Sequence, residues 1–255
     1  MKDGPLIPRF GRARRDGGLA VLEGFHAVKH ALRFGATIEL LVTSDPRELG
    51  RLADALAPDL GPRLAEARVV ERQLFDQLAP LAPSTPVMAI AERPQRTPAE
   101  ILAGPHPAPV ILLEDPRDLG NMGACIRVAA AADAAGVLTT GTHDPWHPDA
   151  LRGAAGLHFA LPVARLEGTE QLAGGERPLL ALDPDGTPFD ARALPPRSVL
   201  AFGTERHGLS DELASRARQL IRIPMRDGVS SLNLATAVAA VMFSWRTATE
   251  VPEGA

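Results

Sequence analysis

Three times from Leu112 onward this chain runs from a short apolar stretch, through a polar loop punctuated by glycine, into a helical pattern. Leu112-Leu113-Glu114-Asp115-Pro116 leads to Ala124-Cys125-Ile126-Arg127, and Val199-Leu200-Ala201-Phe202-Gly203-Thr204-Glu205-Arg206-His207-Gly208 leads to Leu209-Ser210-Asp211-Glu212. The third instance, Ile223-Pro224-Met225-Arg226-Asp227-Gly228-Val229-Ser230-Ser231-Leu232-Asn233-Leu234, opens a helix expected to run to about Trp245. Strand signals alternating with helical ones call for a parallel sheet with crossover helices. In such a sheet the loops leaving the carboxyl ends of the strands line one crevice, where ligands bind. Three polar, glycine-rich loops in that position imply one composite site.

The strands of this unit are expected at Val110–Leu113, 137–140, 179–182, Val199–Phe202 and 220–223, with Asp183-Pro184-Asp185-Gly186 as a turn and residues 142–148 as a loop. Ahead of it lies a smaller α/β pattern. Phe25, Val28 and Leu32 share a helical face that Gly35 terminates, a strand follows at 38–42, and Pro46 opens a helix with Leu49, Leu52 and Leu56 on its apolar side. Short strands are expected at 68–70 and 87–91. The layout is therefore a basic arm at 1–18, a recognition unit at 19–92, a proline-rich extended linker at 93–108 and the parallel-sheet unit at 109–250.

A net charge of −4 gives no global attraction to polyanions, so any contact with nucleic acid must be local. The one local excess of positive charge is Arg9, Arg12, Arg14 and Arg15, in an arm read as lacking apolar periodicity. Two readings stand for it, a solvated tail and a phosphate-contacting RNA-binding arm. The single cysteine, Cys125, excludes an internal disulfide and a cysteine-cluster zinc site and suits a reducing compartment. His143 and His147 are four apart, but Pro145 between them opposes the helix that would make them a metal pair. The sequence has no nucleotide-binding glycine fingerprint of the Rossmann or P-loop type. With no signal-peptide core and no apolar run of spanning length, a soluble cytoplasmic protein is expected, with no metal and no membrane partner.

Each loop allows a structural and a functional reading. Asn121 and Arg127 are six residues apart and point in different directions on an ideal helix, so both can face one ligand only if Asn121 lies in the loop, which Gly120 and Gly123 permit. Otherwise Asn121 caps a helix and Arg127 is a solvated charge. Glu205 is either an exposed loop charge or an acceptor for a proton or hydrogen bonds. Ser230 or Ser231 is expected to cap the last helix. Asn233 is harder to explain structurally. It falls at the start of a helix that is apolar nearly all round, where its amide needs partners from a ligand or a facing loop.

Together, in order, spacing and flanks, the three stretches resemble the signature motifs of the SpoU/TrmH-type RNA 2'-O-ribose methyltransferases of the SPOUT class, over roughly residues 109–247. Gly24-Phe25-His26-Ala27-Val28 is similar to the opening of the substrate-binding domain that many members carry, a fold like an RNA-binding ribosomal protein. The resemblance implies a parallel-sheet domain with a deep trefoil knot, S-adenosylmethionine as cofactor, rRNA or tRNA as partner, and a homodimer in which both subunits contribute to each site. By position it implies Gly203, Ile223, Met225 and Leu232 as cofactor contacts, and Asn121, Arg127, Glu205, Ser231 and Asn233 as the catalytic and RNA-facing set. Asp118 stands where many members have Asn, and the stretch around Ala155 lacks their usual Ser. Because a guanidinium stays protonated, Arg127 is expected to clamp a phosphate and polarise the hydroxyl while Asn121, Ser231 and Asn233 orient it and Glu205 buttresses them. The rivals are a non-catalytic RNA-binding factor on the same fold and an RNA base methyltransferase.

Overall fold

The structure is a computed structural model that describes residues 5–172, 175–204 and 208–249. It divides into two compact units: the first runs to Gln95 and takes in Trp146–Ala160, and the second comprises Arg96–Pro145 and the chain from Leu161 on.

The first unit begins with a helix where an arm without apolar pattern was expected. Leu6, Phe10 and Ala13 fall at i, i+4 and i+7, one face of a helix. Helix α1 (Leu6–Ala13) buries that face in a cluster with Val21, Val42, Phe75, Met88 and Ile90. Of the four arginines of the expected arm, Arg9 pairs with Glu39 at 3.5 Å and Arg14 with Glu23 at 2.8 Å, whereas Arg12 and Arg15 are exposed. There follow β1 (Leu19–Glu23), α2 (Phe25–Arg33), β2 (Ile38–Thr43), α3 (Pro46–Leu56), α4 (Gly61–Ala65), β3 (Arg68–Val69), α5 (Arg72–Asp76) and β4 (Val87–Glu92). The sheet order is β1-β4-β2-β3, with β4, apolar and buried from Val87 to Ala91, antiparallel to β1 and β2. Helix α3 starts as its sequence dictates: the Asp45 carboxylate accepts from the Arg47 and Glu48 amides, and Pro46 occupies the first helical position.

The second unit opens with α6 (Pro98–Ala103), which corrects the expectation of an extended linker. Thr97 and Glu100 form a reciprocal capping box that starts this helix despite the surrounding prolines. Next come β5 (Val110–Leu113), α7 (Leu119–Ala131) and β6 (Gly136–Thr139). The chain then enters the first unit with α8 (Pro148–Gly153) and returns as β7 (Val163–Arg165), β8 (Leu179–Pro188), β9 (Val199–Phe202), α9 (Asp211–Arg216), β10 (Gln219–Arg222) and α10 (Leu234–Thr249). The sheet order is β10-β8-β9-β5-β6-β7, and every neighbouring pair is parallel. Residues Asp183 to Gly186, expected as a turn, lie within β8 at a break in its register with β10. The turn chemistry survives there as an Asp185 amide bonded to the Asp183 carboxylate at 2.8 Å.

Residues 146–160 are held in the first unit by specific contacts. Arg152 pairs with the almost wholly buried Glu23, and the His30 Nδ1–H donates to the Ala155 carbonyl at 2.7 Å. Burial pushes the His30 pKa down despite that bond, favouring the neutral ring. Gly156 has φ +75° and lies against the Ala27 backbone, where a Cβ would collide. Ala155 itself has φ +51°.

In the second unit a buried guanidinium replaces much of the regular hydrogen bonding between α6 and β5. Arg177, 5% exposed, donates to the carbonyls of Leu102 (3.0 Å), Ala108 (2.7 Å), Gly104 (2.9 Å) and His106 (2.9 Å). Its five-donor fork suits that ring of acceptors as no other side chain does. Arg177→Met leaves the carbonyls without their donors and is expected to cost about 3 kcal/mol. Urea unfolding checks this; a loss below about 0.5 kcal/mol, the scale of an ordinary surface change, contradicts it.

Candidate active site at the carboxyl ends of the parallel strands

From β5 the sheet grows outward through β6 and β7, and the chain then builds β8 and β9 on the other side of β5. The strand order therefore reverses between β5 and β9, where the loops that leave the two strands diverge and open a crevice. All three loops singled out in the sequence leave carboxyl ends of strands in this sheet.

The first loop is shorter than expected. Asp118 caps α7 by accepting from the Asn121 amide at 2.7 Å, which puts Asn121 in the first helical turn and not in the loop. Gly120 and Gly123, read as loop punctuation, are inside the helix, and the decisive signal was the capping Asp three residues before Asn121. Asp118 performs the capping role that an Asn would, so this departure from the family pattern leaves the helix start intact. Asp115 adopts φ +37°; its amide donates to Thr140 Oγ1 at 3.0 Å and its carboxylate pairs with Arg117 at 2.7 Å.

The second loop folds back on itself. Thr204 and Gly208 exchange backbone hydrogen bonds of 2.8 and 3.1 Å, and a Cβ on Gly203 would collide with the backbone of Gly208 and Leu209. Ser210 then caps α9 by accepting from the Leu213 amide at 3.2 Å, while its own amide and hydroxyl donate to the Glu114 carboxylate at 2.8 and 2.5 Å. Glu205 lies outside the described residues.

In the third loop the cap is neither Ser230 nor Ser231. Asn233 Oδ1 accepts from the Ala235 and Thr236 amides at 3.0 and 3.3 Å, and both serines are exposed. With Oδ1 spent on the cap, the Asn233 amide nitrogen points away from its helix and donates to Asn121 Oδ1 at 3.2 Å. Helices α7 and α10 pack together with their N-termini meeting at this contact. Two macrodipoles thus present their positive ends to the crevice, which favours a polar or anionic group.

Among the expected site residues, Asn121 and Asn233 are brought into contact. Arg127 is not among them: it is exposed on α7, six residues and hence about a third of a turn away from Asn121. Among the described residues, the side chains of Arg127, on α7, and Ser231 make no hydrogen bond. Ile223 lines a cleft of about 370 Å³ with Phe189, Asp190, Pro224, Val241 and Ser244, among others. Met225 is half-buried and Leu232 is 41% exposed. Ala155 belongs to the first unit. Ser210 caps α9 as its sequence position suggests, but its bond to Glu114, 96 residues away, has no local pattern to announce it. Among the described residues no group of three or more His, Cys, Asp or Glu is disposed to hold a metal ion, and no helix is long and apolar enough to cross a membrane.

Comparison with known proteins places this geometry in a context. The sequence profile of the SpoU rRNA Methylase family matches residues 108–243. A 23S rRNA (guanosine(2553)-2'-O)-methyltransferase of Bacillus subtilis is 28% identical over 232 residues, 89% of this chain and 88% of the relative. An uncharacterized tRNA/rRNA methyltransferase of Mycobacterium bovis is 34% identical over 245 residues, 90% of this chain and 81% of the relative. A crystal structure of an AdoMet-bound rRNA methyltransferase from Sinorhizobium meliloti superposes with a TM-score of 0.75 at 27% identity, covering 97% of this chain and 96% of the other.

The two roles of Asn233, capping α10 and meeting Asn121, are separable. Asn233→Ala is expected to lower stability by about 1 kcal/mol, and Asn233→Ser, which can cap but cannot reach Asn121, to restore most of it. Denaturant unfolding of the two variants checks this; equal losses in both contradict the capping role.

Proposed function

Because the chain belongs to the SpoU rRNA methylase family, we propose that it transfers a methyl group from S-adenosylmethionine to a ribose 2'-hydroxyl of RNA. The observation that carries the reading is the Asn121–Asn233 contact, which joins the first and third motifs at the crevice where the strand order reverses.

The third loop fits the cofactor. Among the described residues, the one backbone–backbone hydrogen bond within 223–232 runs from the Val229 amide to the Arg226 carbonyl. Val229 and Leu232 are also 48% and 41% exposed. Unspent peptide groups beside exposed apolar side chains suit a flat base with hydrogen-bonding edges. Gly203, Ile223, Met225 and Leu232 are the residues proposed to hold it. Bound there, S-adenosylmethionine supplies an electrophilic methyl group on a sulfonium.

The residues of the chain hold and orient the acceptor. Asn121, Ser231 and Asn233 fix the ribose hydroxyl by hydrogen bonds, and positioning of this kind lowers the barrier without new covalent chemistry. Arg127 clamps a phosphate bidentately and polarises the hydroxyl, and Glu205 buttresses the set. The hydroxyl proton leaves to water at or after transfer. Because Arg127 projects from a different flank of α7 than Asn121, the reading has Arg127 of one subunit complete the site of its partner in a homodimer. In the first unit, Arg12 and Arg15, exposed where Arg9 and Arg14 are paired, are the arginines proposed to contact RNA phosphates, in a domain similar to an RNA-binding ribosomal protein. The segment joining the edge strand β10 to α10 beside α7 must pass the carboxyl ends of β8 and β9, a path that supports the deep trefoil knot.

Incubation with labelled S-adenosylmethionine and cellular RNA, followed by alkaline hydrolysis, tests the reaction. A labelled alkali-resistant dinucleotide is the expected product. A labelled mononucleotide means base methylation, and no label means an inert RNA-binding factor; either overturns the reading. For the shared site, Arg127→Ala and Asn233→Ala are each expected to lose activity by more than about 100-fold. Co-expressed, they are expected to regain roughly a quarter of wild-type activity, from the one intact site of each mixed dimer. Absence of recovery contradicts the two-subunit site, and near wild-type turnover by Arg127→Lys contradicts the bidentate clamp.

A further inference from the structure

Glu114 has no assigned part in the methyl transfer, yet one residue here pins both ends of the second loop. Its backbone amide, just past β5, donates to the Phe202 carbonyl at the end of β9 at 2.9 Å. Its carboxylate accepts from the Ser210 amide at 2.8 Å and the Ser210 hydroxyl at 2.5 Å, at the point where the chain leaves the loop for α9. The span between these two anchors contains Gly203 and the paired backbones of Thr204 and Gly208. Hydrogen bonds to a carboxylate are stronger than neutral ones, and two legs on one planar group fix direction as well as distance.

The bond to Glu114 also sets the direction of the Ser210 hydroxyl hydrogen. Because the hydroxyl donates to the carboxylate, its lone pairs are left to accept from the Leu213 amide, the bond that starts α9. The bridge spans the β5–β9 crevice, where the two loops would otherwise part company. Its members are solvent-accessible, so it does not build the core, and its removal acts first on the loop.

We propose that Glu114 is a positioning residue for the cofactor. By clamping Ser210 it holds the Gly203 loop in its binding conformation before the cofactor arrives. This rests on the methyl-transfer reading above. A loop that samples open forms weakens apparent affinity in proportion to the fraction of time spent closed, without changing chemistry once the cofactor is in place. The clamp therefore acts on KM for S-adenosylmethionine and spares kcat. Geometry and not charge is what it requires: a Gln amide can accept from the Ser210 amide through its oxygen and donate to the hydroxyl through its nitrogen. An Asp carboxylate, one methylene shorter, keeps the charge and loses the reach.

The test is steady-state methyl transfer by the full-length chain, varying S-adenosylmethionine at saturating RNA, for wild type, Glu114→Ala, Glu114→Asp and Glu114→Gln, with thermal unfolding of each. Glu114→Ala and Glu114→Asp are expected to raise KM for S-adenosylmethionine by about tenfold or more while kcat stays within about threefold, and Glu114→Gln to stay near wild type. Should Glu114→Ala fail to fold, Glu114→Asp carries the comparison. Unchanged KM in the Asp variant, or loss in Gln with retention in Asp, overturns the clamp while the methyl-transfer reading stands. A wild-type chain that transfers no methyl at all overturns that reading and the clamp with it.

Discussion

In the second unit one side-chain contact, from Asn233 to Asn121, joins the starts of two helices from distant strands. Helix α7 follows β5 in the middle of the sheet, and α10 follows β10 at its edge, three strand intervals or roughly 14 Å away. For Asn233 to donate to Asn121, residues 223–233 must carry the chain across the carboxyl ends of β8 and β9. Capping dictates the rest. Asn233 Oδ1 is committed to the first turn of α10, and Asp118 is committed to the first turn of α7, so the two amides are delivered to each other by the backbone. The loops between have no regular structure to lose by opening toward a ligand.

Much of this arrangement was visible in the sequence, for physical reasons that can be named. The apolar tetrads of β5 and β9 stand out because both are buried throughout, and the helices between them follow from the parallel pattern. Asn233 was conspicuous because a polar amide at the head of an apolar helix needs partners, and it has them in Asn121 and the helix amides. Helix α1 was missed because its apolar face has three members set among arginines and glycine, too short a run to separate from an unpatterned arm. Strand β7, of three residues, is below the length at which alternation or apolarity can be recognised. The first turn of α7 is masked in the sequence by Gly120 and Gly123, which suggest a loop although Asp118 caps the helix.

The remainder was illegible because it is tertiary. Nothing local marks Arg177 as the partner of four carbonyls in residues 102–108, or assigns residues 146–160 to the first unit through Glu23 and His30. Long-range polar pairs such as Glu114 with Ser210 leave no periodicity, and they emerge only once the strand order has set the loops side by side. These pairs decide how rigid the loops are, whereas the sequence pattern decides only where the loops lie.

The loops after β5, β9 and β10 are proposed to form one receptacle for a sulfonium methyl donor. Isothermal titration calorimetry of the folded chain with S-adenosylmethionine tests it most directly. Saturable uptake of one donor per chain is the predicted result, and no detectable uptake, with or without RNA, contradicts the account.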